Sequence, residues 1–278
     1  TIMASDGVGT IFSEFMTLVV SFADNTGETI VKAEIHELAF CLGAYLIYML
    51  YKPKKKLWFW VLFGLTCFCF LAAFKRIAMV AIAVVAVIRV ILFLFSKISQ
   101  KAVLRATNAV MLIAVVLLIG YIWIIKSDFF TYIEKMGLDT SGRAFIYSHV
   151  NNYYSFSPSF VGRGIGFLTY QLNESVSLGV SAVHNDFLQF YIDLGFFGYI
   201  LWLLSMTVLR TKYFGKNDPD SAVITALLTV YLIVVSSTDN TMNYPLLTTV
   251  MGVIIIGNSY ANKVRHQTEY FDTHPLSL

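Results

Sequence analysis

Residues 77–95 read IAMVAIAVVAVIRVILFLF, and Arg89 is the one charged residue among them. A helix of this length matches the roughly 30 Å thickness of the hydrocarbon core of a bilayer. In lipid every backbone N–H and C=O needs an internal partner, so an apolar block of this kind is helical throughout. The stretch therefore predicts a transmembrane helix. Arg89 lies close enough to its cytoplasmic end for the side chain to reach the membrane surface.

The composition of the whole chain also favours a membrane protein. Of 278 residues, 57% are hydrophobic and 13% are charged, whereas soluble domains carry about 25% charged residues. The net charge of +3 is small and gives no indication of nucleic-acid binding. Cys41, Cys67 and Cys69 all lie inside apolar blocks, so they predict neither a disulfide framework nor a CxxC site.

Similar apolar blocks recur along the chain. We predict an all-α polytopic membrane protein with about seven transmembrane helices, four within residues 35–125 and three within residues 187–261. The predicted helices are residues 35–51, 57–74, 77–95, 106–125, 187–209, 221–237 and 244–261. The chain opens at Thr1 rather than at methionine, and we expect further residues to precede it.

The basic residues orient these helices. Twelve of the twenty Lys and Arg residues fall in four short segments, which the positive-inside rule assigns to the cytoplasm. The segments are residues 52–56, 96–105, 210–219 and a cytoplasmic tail at 262–278. Alternation then places residues 1–34, 75–76, 126–186 and 238–243 outside. We expect residues 1–34 to be an extracytoplasmic segment or the remnant of an earlier span.

Residues 126–186 form the one large extracytoplasmic loop of this prediction. Asp139, Thr140 and Ser141 are residue types that cap free backbone N–H groups, so they predict a helix that starts near Arg143. A positive charge in a first helical turn is disfavoured by the helix dipole, and Arg143 therefore indicates a role outside helix stability.

The loop also carries an aromatic-rich surface. These side chains either anchor the loop at the membrane interface or stack on sugar rings. They are Tyr153, Tyr154, Phe156, Phe160, Phe167 and Tyr170.

Lys75 and Arg76 form a basic pair at a very short outer junction. Long basic side chains at helix ends often reach to the membrane surface. The outer end, however, is the one at which the positive-inside rule disfavours them. Both the membrane-surface interpretation and a functional one therefore stay open.

His184 ends the outer loop just before the next predicted helix. A histidine side chain can take a proton from an attacking hydroxyl near neutral pH. Asn185 and Asp186 beside it are typical helix-capping residues, although Asp186 could instead orient the imidazole. His149 is a rival base on the same loop. A metal site that uses both histidines is not favoured, because their spacing matches no known ligand pattern.

Two further features lie close to His184 in the sequence. Residues 162–166 read GRGIG but lack the strand–turn–helix context of a nucleotide-binding motif. As a tight turn, this segment could bring the backbone and Arg163 close to a ligand. Asp193 lies within a predicted span and is expected to face other helices, in a structural or a functional role.

Taken in order, these pieces resemble the O-antigen ligase and polymerase superfamily of bacterial envelope enzymes. The matching segments are Phe74-Lys75-Arg76, Ser141-Gly142-Arg143, Gly162 to Gly166, and the run from His184 to Gly198. Members of this family have more spans than seven, in line with the expectation that residues precede Thr1. The family often has Ser before the first arginine, where this chain has Lys75, so Lys75 could share the role of Arg76.

The resemblance implies glycan transfer on the outer face of the bacterial inner membrane. The donor would be an oligosaccharide linked through diphosphate to a polyprenol, typically undecaprenol, and the acceptor a sugar hydroxyl of a second glycan. Diphosphate is already a good leaving group, so neither a metal ion nor another cofactor is needed.

The resemblance also implies roles for the residues singled out above. Arg76 and Arg143 would bind the diphosphate through charge-assisted hydrogen bonds, with help from Lys75 and Arg163. His184 would take the proton of the acceptor hydroxyl. Supporting residues would be Asn185, Asp186 and Asp193.

Three functions remain in competition. A polymerase joins repeat units, whereas an O-antigen ligase moves finished glycan to a lipid A core or another acceptor. The Lys75-Arg76 junction favours the polymerase, whose expected partners are membrane lipid, a flippase and a chain-length regulator, but not nucleic acid. A transporter is disfavoured, because the chain shows no internal repeat and Arg89 and Asp193 have no obvious partners.

Overall fold

The computed structural model describes residues 36–73, 75–137, 140, 142–174, 182–216 and 218–273, with side chains from Glu37 to Arg265. All regular structure within these ranges is helical, as predicted. The extracytoplasmic segment predicted at residues 1–34 lies outside the described residues. So does the end of the tail predicted at residues 262–278.

Helices occupy all seven positions predicted to span the membrane, and three short helices lie in the loop between them. In chain order the helices are α1 (His36–Tyr51), α2 (Leu57–Ala72), α3 (Arg76–Ser96), α4 (Gln100–Lys126), α5 (Phe129–Lys135), α6 (Arg143–Val150), α7 (Phe167–Glu174), α8 (Asp186–Leu204), α9 (Arg210–Gly215), α10 (Pro219–Ser236) and α11 (Pro245–Thr273). A π-helical turn at Ser205–Leu209 joins α8 to α9, and 3-10 turns form at Asn151–Tyr153 and Thr241–Asn243.

Four helical segments are long and apolar enough to cross a membrane: α3, α4, the continuous run Asp186–Gly215, and α10. Helices α1 and α2 are apolar but shorter. The prediction of an all-α chain with several membrane-spanning helices is therefore confirmed. The number seven stays a prediction.

Arg210 lies inside a helical run rather than in the basic loop predicted at residues 210–219. The run Asp186–Gly215 continues past it, and its partly buried guanidinium donates a hydrogen bond to Thr229 Oγ1 of α10. A hydroxyl acceptor on the neighbouring helix lets the arginine stay within the bundle. Only residues 216–218 separate α9 from α10.

Helix α10 is the centre of the bundle. Its apolar window is 78% buried, against 22% for α3. Helices α1, α3, α4, α9 and α11 pack around α10. The outward faces of α2 and α3 expose large apolar side chains such as Trp58 and Val87, as expected for surfaces that contact lipid.

The predicted loop packs onto the ends of α4 and α8, where it forms a second apolar core. The prediction of an aromatic surface is wrong for Tyr154. Tyr154 is buried, and Phe156 and Phe160 stack on Tyr191 of α8 with ring centroids 6.1 and 5.6 Å away. Only Tyr170 among the remaining three is more than half exposed. The packing of these rings against α8 fixes the loop against the bundle.

The glycine-rich segment lies against a kink in α8. Gly195 has a φ of 75° inside the helix. Backbone groups of α8 next to the kink form hydrogen bonds with the segment and the residues just before it. Phe196 N donates to Phe160 O at 2.8 Å, and Arg163 N donates to Ile192 O at 2.8 Å. A Cβ on Gly162 would lie 2.6 Å from Gly195 N, so both positions need glycine.

The side chain of Asp193 also links α8 to the glycine-rich segment. Its carboxylate accepts hydrogen bonds from Gly166 N at 2.9 Å and from Leu168 N at 3.5 Å, at the start of α7. The predicted inward-facing acid is buried as expected. Its contacts are with the loop rather than with another long helix, which indicates a structural role.

Candidate functional site

Three consecutive residues between α10 and α11 collect the side chains that the sequence singled out. We call Thr238, Asp239 and Asn240 the 238–240 junction. Arg143 Nη2 donates to Thr238 O at 2.9 Å, and Asn185 N donates to Asn240 Oδ1 at 3.0 Å. Asp239, between Thr238 and Asn240, contacts Lys75 and His184. Residues distant in the sequence therefore meet at one end of the bundle, which we call the site end.

Asp239 is a buried carboxylate that lies between one lysine and one histidine. Lys75 Nζ lies 3.0 Å from Asp239 Oδ2, and His184 Nδ1 lies 3.9 Å from Asp239 Oδ1. The backbone N–H of Asn240 and the hydroxyl of Tyr244 donate to Oδ1 as well, at 2.8 and 3.4 Å. Burial alone would raise the pKa of Asp239, but the contact with His184 and the charge of Lys75 hold it well below its usual range. The carboxylate is therefore ionised at neutral pH.

His184 is held in an unusual backbone conformation. Its φ is 51°, in the left-handed region that costs a side-chain-bearing residue about 1–2 kcal/mol. The next residue, Asn185, is fully buried and caps α8 by accepting a hydrogen bond from Leu188 N at 3.0 Å. The imidazole of His184 is half exposed, so it faces Asp239 with one nitrogen and stays accessible to a ligand.

Asn185 also joins the helices around the site. Its Nδ2 donates to the hydroxyls of Tyr121 on α4 and Tyr147 on α6, at 3.1 and 3.0 Å. The Tyr121 hydroxyl in turn donates to Ser237 O at 2.8 Å. The expectation that Asn185 caps a helix is confirmed, and its amide also fixes α4, α6 and α8 relative to one another.

Arg143 opens α6, as predicted. Thr140 provides the local start signal, because its carbonyl accepts from Arg143 N at 3.1 Å and its hydroxyl from Ala144 N at 3.2 Å. Asp139 and Ser141 lie outside the described residues. The guanidinium contacts the carbonyls of Thr238 and Thr140, and its Nε is buried without a partner. No described carboxylate forms an ion pair with Arg143, so its charge remains available to an anionic ligand.

The side chains of Lys75 and Arg76 have different surroundings. Lys75 turns inward, to Asp239 and to the face of the Phe40 ring 5.6 Å away. Arg76 is the first residue of α3, is exposed, and makes no hydrogen bond or ion pair with the described residues. Arg76 is therefore the member of the pair that is open to a ligand.

The structure brings Asp239, and not Asp186, to His184. Asp186 is buried and accepts hydrogen bonds from Met242 N at 2.9 Å and Thr241 Oγ1 at 3.5 Å. It thereby ties the start of α8 to the 3-10 turn after the junction. An orienting role of Asp186 for the imidazole has no support in these contacts.

Two other candidates lie apart from the junction. Arg163 donates from Nε to Tyr153 O at 2.9 Å and lies over the Phe167 ring. His149 contacts the hydroxyl of Tyr153 through Nε2 at 3.4 Å. Neither has a described contact with Lys75 or with the 238–240 junction. No group of three or more His, Cys, Asp or Glu side chains within the described residues is arranged to hold a metal ion.

An apolar cleft of about 530 Å³ runs from the site end between α3, α4 and α10. Tyr121 and Ser237 line the end of this cleft that lies next to the junction. Farther along, its walls include Val84, Leu117 and Ile233. The cleft therefore connects the polar site to the hydrocarbon depth of the bundle.

Asp239 is the site residue that the sequence analysis missed. Asp239 stands beside Asn240 and close to Pro245, and these residue types together are equally typical of a turn. One signal could have found it. The alternation of spans puts residues 238–243 on the same side as Lys75, Arg76 and Arg143, and Asp239 is the one acid in that junction.

Together the helices and the site define a polytopic membrane protein with a cation-rich polar site at one end of its bundle. A family model described as O-antigen ligase matches residues 61–203, just over half of the chain. The chain belongs to this family, and the predicted resemblance is confirmed. The match includes Lys75, Arg143 and His184 but ends before Asp239. Searches of curated proteins and of solved structures found no match.

Proposed function

We propose that the chain is a polysaccharide polymerase that acts on the outer face of the bacterial inner membrane. It would transfer glycan from a polyprenyl-diphosphate-linked donor to a sugar hydroxyl of an acceptor glycan. Membership of the O-antigen ligase family supports this class of reaction. The observation that carries the proposal is the 238–240 junction, which holds Lys75 and His184 at one ionised carboxylate and Arg143 at the neighbouring carbonyl of Thr238.

His184 acts as the base in this proposal. With a proton on Nδ1 facing Asp239, Nε2 carries the lone pair that takes the proton of the acceptor hydroxyl. The acceptor oxygen then bonds to the anomeric carbon, and the bond from that carbon to the diphosphate breaks with its electron pair leaving on the diphosphate. Asp239 stabilises the charged imidazole. Its 3.9 Å separation from Nδ1 is longer than a hydrogen bond, and such contacts often tighten only when substrate binds.

Arg76 and Arg143 bind the diphosphate. Both lack a carboxylate partner among the described residues, and a guanidinium can give two parallel hydrogen bonds to phosphate oxygens. Their charge also stabilises the negative charge that grows on the leaving group. Lys75 contributes chiefly by holding Asp239, since that carboxylate already neutralises its ammonium group.

The polyprenyl chain of the donor lies in the apolar cleft. Ser237 lines the cleft, and the next residue, Thr238, holds Arg143. A diphosphate at Arg143 and a hydrocarbon tail between α3, α4 and α10 therefore follow one continuous path. This arrangement suits a substrate with a charged head and a long apolar chain.

The choice of polymerase rests on the Lys75-Arg76 junction, which resembles those of capsule and exopolysaccharide polymerases. The alternative is an O-antigen ligase that uses the same donor and delivers finished glycan to a lipid A core. A polymerase would work beside a flippase and a chain-length regulator. The contacts of the site serve either reaction, so the acceptor decides between them.

The test uses full-length protein in proteoliposomes with its polyprenyl-diphosphate-linked repeat unit, and product length is followed on a gel. Wild type is expected to give a ladder of lengthening glycan. Arg143→Ala and His184→Ala should each lower the rate about 100-fold or more, as expected for loss of charge stabilisation or of a general base.

Two variants serve as matched controls. Lys135→Ala removes an exposed cation from the same extramembrane region, and His149→Ala removes the rival histidine. Both should retain the ladder. Glycan found only on an added lipid A core acceptor would favour the ligase, and transfer that persists in His184→Ala would exclude His184 as the base. No transfer to either acceptor would overturn both enzymatic proposals.

A further inference from the structure

A second polar cleft lies at the end of the bundle opposite the candidate site. Its volume is about 570 Å³, within the range of pockets that hold small ligands. It is lined by residues of α1, α3, α4, α10 and α11 and by Lys52 and Asp218. None of Lys75, Arg143 or His184 is among them. Its charged lining residues are Lys52, Arg89, Asp218, Asp220 and Arg265.

Both carboxylates of this cleft are already occupied. Asp220 pairs with Lys52 and accepts a hydrogen bond from Asn262 Nδ2 at 3.1 Å. Asp218 caps α10, where its oxygens accept from the backbone N–H groups of Asp220 and Ser221 at 3.1 Å each. Within the described residues, neither acid forms an ion pair with Arg89.

Arg89 is a cation within the bundle that has no anionic partner among the described residues. It is partly buried on α3, seven residues or roughly 10 Å before the helix ends at Ser96. Its described contact is with the face of the Tyr51 ring, 5.6 Å away. A charge at such depth normally faces a partner or a polar cavity. Here it lines the cleft, and Arg265 brings a second guanidinium to the same space.

Helix ends add to the positive character of the cleft. Gln100, the first residue of α4, and Pro219, the first residue of α10, both line it. The beginning of a helix carries partial positive charge and free N–H groups. Asp218 satisfies this need at α10. At α4 the hydroxyl of Ser99 accepts from Ala102 N at 3.1 Å, and no acidic residue lies in the first turn.

We propose that this cleft binds a phosphate group through Arg89 and Arg265. A phosphate offers several acceptor oxygens in a compact shape, and guanidinium groups bind it in a planar, bidentate manner. The phosphate belongs either to the headgroup of an anionic phospholipid or to a soluble phosphate. The site is separate from the glycan-transfer site and does not depend on the function proposed for it.

Thermal unfolding of the full-length protein in neutral detergent, followed by tryptophan fluorescence, tests the proposal. The probes are dioctanoyl phosphatidylglycerol and inorganic phosphate, with dioctanoylglycerol as the phosphate-free lipid control. A ligand that binds the folded state raises Tm in proportion to its affinity. Arg89→Gln, which keeps a polar side chain without charge, should weaken the apparent Kd about tenfold, and Arg89→Lys should weaken it less. Lys101→Gln, an exposed cation of α4 that does not line the cleft, should titrate as wild type.

The two probes distinguish the sources of the phosphate. Stabilisation by phosphatidylglycerol alone would assign the site to a lipid headgroup, and stabilisation by both would assign it to a phosphate group reached from water. If neither raises the Tm of the wild type, or if Arg89→Gln responds as the wild type does, the proposal is overturned. Should Arg89→Gln not fold, Arg265→Gln makes the same comparison, and an unchanged titration would again count against the site.

Discussion

At the scale of single residues, Asp239 shows how one buried carboxylate organises its neighbours. Only 8% of its side chain is exposed, and burying a charge costs several kcal/mol unless partners offset the loss of water. Lys75 supplies a positive charge, His184 a ring nitrogen 3.9 Å away, and Asn240 a backbone N–H. The loss of any one partner weakens the positions of the others, so we expect the effects of substitutions here to be non-additive.

The depressed pKa of Asp239 predicts how stability depends on pH. Asp239→Asn should lower the free energy of unfolding by roughly 1–3 kcal/mol at neutral pH, because Lys75 loses its partner. The folded-state pKa lies below the ordinary value of 3.8. The contribution is therefore fully present above about pH 5 and is lost as the pH falls from about 4 toward the folded-state value.

Thermal unfolding of wild type and Asp239→Asn in detergent between neutral and acidic pH measures this difference. The double variant Lys75→Met with Asp239→Asn is the control, because it has neither charge and its stability should show no pH dependence from this pair. A gap between wild type and Asp239→Asn that is as wide at pH 3 as at neutral pH would contradict the assignment.

The sequence singled out Lys75, Arg143 and His184 because charged or titratable residues stand out at the edges of apolar blocks. It did not single out Asp239, because an acid beside Asn240 and close to Pro245 is equally typical of a turn. Nor could local patterns decide between Asp186 and Asp239 as the partner of His184. Pairing at this range depends on how the long helices pack, and no local pattern specifies that.

At the scale of elements, the contact between the glycine-rich segment and α8 positions the loop. A Cβ on Gly195 would lie 2.5 Å from Gly162 N, and both residues have positive φ. Gly162→Ala and Gly195→Ala should each destabilise the fold by about 2 kcal/mol or more, from backbone strain and overlap together. Gly120→Ala in α4 is the matched control, because open space surrounds it and alanine favours helix by about 1 kcal/mol.

Thermal unfolding in detergent compares the three glycine variants. Lower Tm values for Gly162→Ala and Gly195→Ala, with no loss for Gly120→Ala, are expected. Equal Tm values for all three would show that the segment does not pack against the kink as described.

The positions of the long helices could be predicted from hydropathy, but their ends could not. Helix α4 begins at Gln100, six residues before the predicted start, and Arg210 continues a helix that was expected to end at residue 209. Basic residues were used as loop markers. A long basic side chain reports where its charged end lies, and its backbone can be more than a helical turn away.

At the scale of the whole molecule, the more apolar of two membrane-spanning helices is the less buried one. Helix α3 has a mean hydropathy of 3.0 over its best window and is 22% buried, whereas α10 has 1.7 and is 78% buried. In a bilayer the most apolar helices face lipid, and the central helix can carry polar residues that bond within the bundle. Thr225 and Thr229 of α10 do so. Hydropathy alone therefore could not predict which helix forms the centre.

The distribution of basic residues predicts the orientation of the whole bundle. In a variant in which Cys41, Cys67 and Cys69 are replaced, Lys135→Cys should react with a membrane-impermeant thiol reagent added to intact cells. Lys54→Cys should react only after the membrane is permeabilised. Both positions are exposed, so access to the reagent depends on the side of the membrane. The opposite labelling pattern would invert the orientation and exclude an outward-facing site.

The 238–240 junction also has a consequence for synthesis. Ribosomes build the chain from its beginning, so Lys75, Arg143 and His184 enter the membrane well before Asp239 is made. Until then His184 has no carboxylate beside it, and Arg143 lacks the carbonyl of Thr238. The nascent protein therefore carries its charged residues through insertion without an assembled centre, and the centre forms only when the turn after α10 is in place.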